Sequence, residues 1–130
     1  MDGSKGTIMS QHRLGLIAHA RSGDKGSGAN VGIIAYTPDG YTFMKDYLTA
    51  ARVEAFFKPM GVGAVTRYEW DSIGAFNFML PDILAGGGSR SLRIDAQGKA
   101  LGQILLEMPI DIDDATLTHC LRTDPAGKAS

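Results

Sequence analysis

The chain has 130 residues, of which 44% are hydrophobic and 21% are charged, a composition typical of one globular domain with a single core. Its formal net charge of -1 excludes an electrostatic basis for binding nucleic acid or an anionic membrane, because both favour clustered basic residues. The sequence has neither an apolar run of membrane-helix length nor the apolar segment of a signal peptide. With Cys120 as its single cysteine, the chain is predicted to be cytoplasmic.

The first predicted elements follow a polar leader. Residues 1–13 lack apolar periodicity and are predicted to be disordered or foreign to the native chain, with Met9 as the alternative start. Two short runs rich in Ile and Val, residues 14–20 and 31–36, predict the first two strands. The segment between them, RSGDKGSGAN (21–30), contains three glycines and an Asp-Lys pair. It is predicted to be a loop that is longer than a hairpin turn requires.

Helical periodicity follows over residues 41–60. Thr49 is a predicted N-cap for the second segment of this stretch, and Gly61 is predicted to end it. The apolar face of that segment consists of Val53, Phe56, Phe57 and Met60.

Two aromatic-rich runs, residues 65–70 and 73–80, predict two more strands joined by a tight turn at Asp71-Ser72. A glycine-rich segment leads from them to a second helix, which is predicted to be capped by Asp95 and ended by Pro109. Its apolar positions are Leu101, Ile104, Leu105 and Met108, and its internal glycines, Gly98 and Gly102, each weaken it by about 1 kcal/mol relative to alanine.

These elements predict an α+β fold with the order ββαββα over residues 14–109. We expect a two-layer sandwich in which helices cover one face of a four-stranded, mostly antiparallel sheet. Residues 110–130 are predicted to be a tail with one short helix capped by Asp113 or Asp114. Because edge strands of a small open sheet expose unpaired backbone groups, a homo-oligomer is also expected.

The first glycine-rich segment does not fit the known phosphate-binding fingerprints. It lacks the Gly-Lys-Ser/Thr order of a P-loop and the third glycine of a dinucleotide-binding turn. Its successive glycine amides, together with Arg21 and Lys25, can still form an anion nest. The alternative is an elaborate hairpin loop whose Asp24 and Asn30 bond their own backbone.

A second glycine-rich segment, GGGSRSLR (86–93), adds two arginines, Arg90 and Arg93. If both segments lie at one sheet edge, Lys25, Ser89 and Arg90 surround a pocket for a carboxylate or phosphate. The alternative is a linker that ends the strand. Asn77 is a strongly polar residue within an apolar strand, and it is either a structural asparagine or a ligand-facing one.

The remaining reactive side chains favour no complete catalytic or metal site. His12, His19 and His119 lack metal-ligand spacing, and adjacent residues such as His119 and Cys120 rarely point at each other as a base and a nucleophile. Neither a metal nor a cofactor is predicted. Asp24 and Lys25 are weak catalytic candidates, as a general base and an electrostatic stabiliser.

Four segments in order along the chain resemble the AtuA-like (acyclic terpene utilisation) ferredoxin-fold domain: SGDKGSGANVGIIA (22–35), LTAARVEAFF (48–57), RYEWDSIGAFNFML (67–80) and GGGSRSLRIDAQGKALGQILLEM (86–108). The resemblance implies a ferredoxin-like fold and a role in the catabolism of acyclic terpenes, which proceeds through acids and coenzyme A thioesters. In that family the domain forms the C-terminal part of a larger protein or is a small chain beside one. The motif positions here are Ser22, Gly23, Asp24, Lys25, Gly26, Asn30, Asn77, Gly87, Gly88, Ser91 and Arg93.

Three functions remain open from the sequence. The first is an accessory subunit that works with a larger AtuA-like partner and contributes an anion-binding edge for a carboxylate or a coenzyme A ester. The second is a stand-alone lyase or hydratase that uses Asp24 and Lys25. The third is a structural oligomerisation module.

Overall fold

The computed structural model describes residues 9–25, 28–83 and 101–122, with the side chains of Asp24 and Lys25 left outside that description. Within these ranges the chain forms six strands and four α-helices. They are, in chain order, β1 (Met9–Arg13), β2 (Ala18–Lys25), β3 (Gly28–Ala35), α1 (Pro38–Tyr47), α2 (Ala50–Phe57), β4 (Thr66–Trp70), β5 (Ala75–Leu80), α3 (Leu101–Leu105), β6 (Pro109–Asp113) and α4 (Asp114–Cys120). None of the helices in the described ranges is long and apolar enough to cross a membrane.

The main sheet has four antiparallel strands in the order β2-β3-β5-β4. Helices α1 and α3 pack against the same face of this sheet. Tyr41 of α1 stacks on Phe76 with ring centroids 4.7 Å apart, and Gly102 of α3 lies directly over Ala20. The predicted α+β class and the antiparallel four-stranded sheet are therefore confirmed.

A second sheet pairs β1 with β6, which places a strand in the predicted leader and another in the predicted tail. The order ββαββα is thus incomplete, since one strand precedes it and another follows α3. In β6, Ile110 and Ile112 are buried while Pro109 and Asp111 are exposed. This alternation is typical of a strand with one buried face. The strand was missed in the sequence because the preceding residues were assigned to a helix and the following ones to a tail.

The first predicted strand, residues 14–20, begins and ends too early in the sequence. Leu14 to Leu16 form a 3-10 turn instead, with the Leu14 amide bonded to the Met108 carbonyl at 2.8 Å. Strand β2 begins at Ala18 and continues through Lys25, pairing residue by residue with β3. The predicted ten-residue loop is therefore mostly a hairpin. Backbone pairing needs no apolar side chains on an open edge strand, so hydrophobic periodicity did not reveal it.

The helix predictions on the first half of the chain are confirmed. Thr49 caps α2 by accepting a hydrogen bond from the Arg52 amide at 3.1 Å, and Gly61 ends the segment with φ of 85°. The turn between β4 and β5 is longer than predicted, because a 3-10 turn from Asp71 to Ile73 is followed by Gly74 with φ of 64°. The predicted cap Asp95 and Gly98 lie outside the described residues.

Candidate functional site

Among the residues that the structure describes, the main sheet has one covered face and one open face. Val31, Ile33 and Phe78 are fully buried on the covered face, while the alternate residues Asn30 and Asn77 are half-buried on the other. Because side chains alternate along a strand, the register assigns the open-face residues to three rows across the sheet. From the hairpin end, the rows are Gly23, Asn30, Met79 and Thr66; then Arg21, Gly32, Asn77 and Tyr68; then His19, Ile34, Ala75 and Trp70.

Two asparagine side chains meet on the open face. The Asn30 Nδ2 donates a hydrogen bond to Asn77 Oδ1 at 3.1 Å, although the two residues are 47 positions apart in sequence. Gly23 lies opposite Asn30, and a Cβ at that position would be 3.1 Å from Asn30 Oδ1. Glycine at position 23 therefore leaves the space that the Asn30 amide occupies.

Part of each row lines a cavity of about 490 Å³. Its lining consists of Arg21, Ser22, Gly23, Asn30, Gly32, Ile34, Trp70, Ile73, Ala75, Phe76 and Asn77. The hairpin end is polar, and the opposite end is apolar. Gly32 lies between Arg21 and Asn77 in the middle row, so the absence of a side chain there contributes open space to the centre of the cavity.

Four of the sequence-predicted site residues line this cavity: Ser22, Gly23, Asn30 and Asn77. Ser22 pairs with the buried Val31, which assigns its Cβ to the covered face. Asp24 and Lys25 occupy the last two positions of β2. Gly26, Gly87, Gly88, Ser89, Arg90, Ser91 and Arg93 lie outside the described residues, so their predicted place in a shared pocket stays a prediction.

The start of β3 lies beside the end of β5. Gly28, which follows the hairpin end, is packed so closely against β5 that a Cβ there would be 3.0 Å from the Leu80 carbonyl oxygen and 3.2 Å from Pro81 Cα. Asp82, which follows Pro81, has a positive φ of 64°. Gly28 of the first glycine-rich segment therefore lies beside the end of β5, whereas the second segment lies outside the described residues.

The sequence reading did not single out the apolar half of the cavity. Trp70 and Ile73 are 63% and 57% exposed, which is unusual for large apolar side chains outside binding surfaces when they occur together. Gly32 carried a usable signal, because a glycine inside a strand often marks close approach of another group. Ile34 carried no such signal. It belongs to an apolar run, and only the strand register shows which of its residues lie on the open face.

The residues of the C-terminal helix do not form a thiol site. The Cys120 side chain is fully buried in the core. Burial, followed by the charges of Asp39 and Asp113, raises the pKa of its thiol to about 11. The exposed His119 ring has its Nδ1 4.0 Å from Asp39 Oδ2. Among the described residues, no cluster of His, Cys, Asp or Glu has the arrangement of a metal site.

A second cavity of about 520 Å³ lies between α1 and α4 and contains none of the predicted site residues. Side chains that line this second cavity stack on one another. The Arg52 guanidinium stacks on Tyr47 at 3.9 Å from the ring centroid, and Phe43 stacks on the same ring at 5.2 Å. We therefore take the open-face cavity as the candidate site.

Comparison with known families gives one assignment. The model of the AtuA ferredoxin-like domain matches residues 12–111, a range that contains the whole open-face cavity. The chain belongs to the AtuA ferredoxin-like domain family. No curated protein and no solved structure matches it.

Proposed function

We propose that this AtuA ferredoxin-like domain is an accessory unit that works with a larger AtuA-like partner in the breakdown of acyclic terpenoid or branched-chain acids. Its open sheet face contributes a site for a carboxylate or a coenzyme A ester. The observation that carries the proposal is the bonded Asn30–Asn77 pair, which lines one cavity together with Arg21.

The donors of this cavity suit an anionic or carbonyl oxygen. Each primary amide has two N–H donors. The bond between the two asparagines uses one of these four, and a long bond from Asn77 Nδ2 to Met79 Sδ at 3.9 Å uses another. The Arg21 guanidinium adds a planar set of donors that matches a carboxylate. A ligand oxygen beside the amide pair would therefore accept both amide and charge-assisted hydrogen bonds.

The first test is binding of acetate, the simplest carboxylate, to the isotope-labelled protein. We expect the side-chain amide resonances of Asn30 and Asn77 to shift together and to saturate. Arg21→Ala should weaken binding by about 1.5–3 kcal/mol through loss of a charge-assisted bond. Unchanged thermal stability is expected, since Arg21 is exposed.

Arg13→Ala is the matched control, because it removes an exposed arginine of β1 that bonds Glu107 at 2.9 Å and does not line this cavity. Equal acetate affinity in both variants would refute the role of Arg21. Lys25→Ala tests the hairpin end in the same titration, and the sequence predicts a loss of about 1.5–3 kcal/mol there as well.

The partner is tested separately. A gene for a larger AtuA-like protein beside this one, and a stable complex of the two purified proteins, would support the accessory role. Purified chain that converts acyl-coenzyme A substrates alone would instead support the lyase or hydratase alternative. We also propose that the chain associates with itself through an edge strand of its main sheet.

A further inference from the structure

The open-face cavity has a polarity gradient along the strands. Asn30 lines its end near the hairpin, Arg21 and Asn77 lie on either side of Gly32 in the middle row, and Ile34, Trp70 and Ile73 line the opposite end. Asn30 and Ile34 are four residues apart on the same face of β3, which corresponds to about 13 Å of extended strand. A small carboxylate would fill only the polar end of such a cavity.

The middle of the cavity is open because Gly32 has no side chain. An added Cβ would lie 3.9 Å from the Phe76 carbonyl oxygen and 4.0 Å from the Arg21 carbonyl oxygen, which are ordinary contacts. The position therefore has room for a side chain that the sequence does not provide. That unfilled space connects the polar end to the apolar end.

We propose that this cavity binds a medium-chain aliphatic carboxylate, with its carboxylate group beside Asn30, Asn77 and Arg21. The alkyl chain of the ligand then crosses Gly32 and contacts Ile34, Ile73 and Trp70. This inference rests on the proposed function, because it assigns a ligand class to the same site. It adds a direction and a length preference that anion binding alone does not require.

Trp70 provides a direct reporter, since it is the only tryptophan in the sequence. Octanoate should shift its fluorescence to shorter wavelength in a saturable way, because the chain replaces water beside the exposed indole. Acetate should leave the Trp70 spectrum unchanged. Octanoate should bind at least about tenfold more tightly than acetate, given the usual selectivity of apolar pockets for added methylene groups.

Gly32→Val fills the middle of the cavity with a residue that favours strands. We expect it to weaken octanoate binding at least tenfold while the circular dichroism spectrum is retained. Thr66→Val is the matched control, because Thr66 lies on the same face but outside the cavity lining. Ile73→Ser is a second variant at an exposed turn position, and it should lower octanoate affinity several-fold and leave acetate affinity unchanged.

The outcomes separate the two proposals. Acetate could shift the Asn30 and Asn77 resonances while octanoate shows neither tighter binding nor a Trp70 response. That result would overturn the proposed position of the alkyl chain and would still support the carboxylate site. Loss of both responses would overturn the proposed function as well. Octanoate binding that neither Gly32→Val nor Ile73→Ser weakens would also overturn this assignment of the cavity.

Discussion

Tyr41 connects helix α1 to the β4–β5 turn through a hydrogen bond from its hydroxyl to the Asp71 carboxylate. Desolvation and then this bond to Asp71 raise the pKa of Tyr41 to about 12. The same bond, followed by the bond from Lys45, lowers the pKa of Asp71 below its usual value of 3.8. The two pKa shifts have one meaning: the folded protein stabilises a neutral Tyr41 phenol bonded to an ionised Asp71 carboxylate.

We predict that Tyr41→Phe lowers the urea midpoint of unfolding at pH 7, because the phenol bond is lost. The difference from wild type should be fully present between pH 4 and pH 10. It should decrease as the pH rises from 10 through 12, where folded Tyr41 ionises, and as the pH falls from 3.8 through the lowered pKa of folded Asp71.

Tyr68→Phe is the control for this prediction, since Tyr68 is 57% exposed on the open face. Removing its hydroxyl should leave the urea midpoint nearly unchanged at every pH. A Tyr41→Phe difference that stays constant from pH 3 to pH 12 would show that the hydroxyl does not stabilise the fold through a bond to ionised Asp71.

At the scale of elements, the contact between α3 and β2 depends on Gly102. A Cβ at this position would lie 2.8 Å from Ala20 Cβ, which is closer than non-bonded carbon atoms approach in folded proteins. Replacing glycine by alanine inside a helix normally stabilises it by about 1 kcal/mol. Overpacking a close contact costs about 1–3 kcal/mol, so the packing effect should exceed the propensity effect.

We predict that Gly102→Ala lowers the free energy of unfolding by up to about 2 kcal/mol, measured by chemical denaturation. Gln103→Ala is the matched control, because Gln103 is the next residue of α3 and is exposed. It should be neutral or slightly stabilising. A stabilised Gly102→Ala protein would mean that α3 shifts away from Ala20 at little cost.

The elements that the sequence predicted well are those in which burial follows a helical period. Val53, Phe57 and Met60 are buried on one face, and a polar N-cap and a glycine delimit them. Strand β2 was placed poorly because its outer half carries polar residues and glycine. Its partner is the backbone of β3, and backbone pairing leaves no periodic signal in the side chains.

The same distinction explains the candidate site. Asn77 was predictable, since a polar residue in an apolar strand must find a partner. That its partner is Asn30 depends on the register between β3 and β5, which local sequence does not specify. The apolar end of the cavity depends on this register and on that between β4 and β5, because together they bring Ile34 and Trp70 to either side of Ala75.

At the scale of the whole molecule, β4 is an edge of the main sheet. Its open-face side chains Tyr68 and Trp70 are 57% and 63% exposed. An edge strand presents backbone donors and acceptors along one side, and a second copy can pair with them about a two-fold axis. Such pairing would extend the sheet and leave both open faces accessible to ligand.

We therefore predict that light scattering at micromolar concentration gives a mass of about twice the 13.8 kDa of the chain. Tyr68→Lys should shift the protein toward the monomer, because charge on an exposed edge strand opposes pairing. Met9→Lys is the matched control, since Met9 is also 57% exposed but lies on β1. A monomeric wild-type protein would refute self-association, and a Met9→Lys monomer with a dimeric Tyr68→Lys protein would move the interface to the smaller sheet.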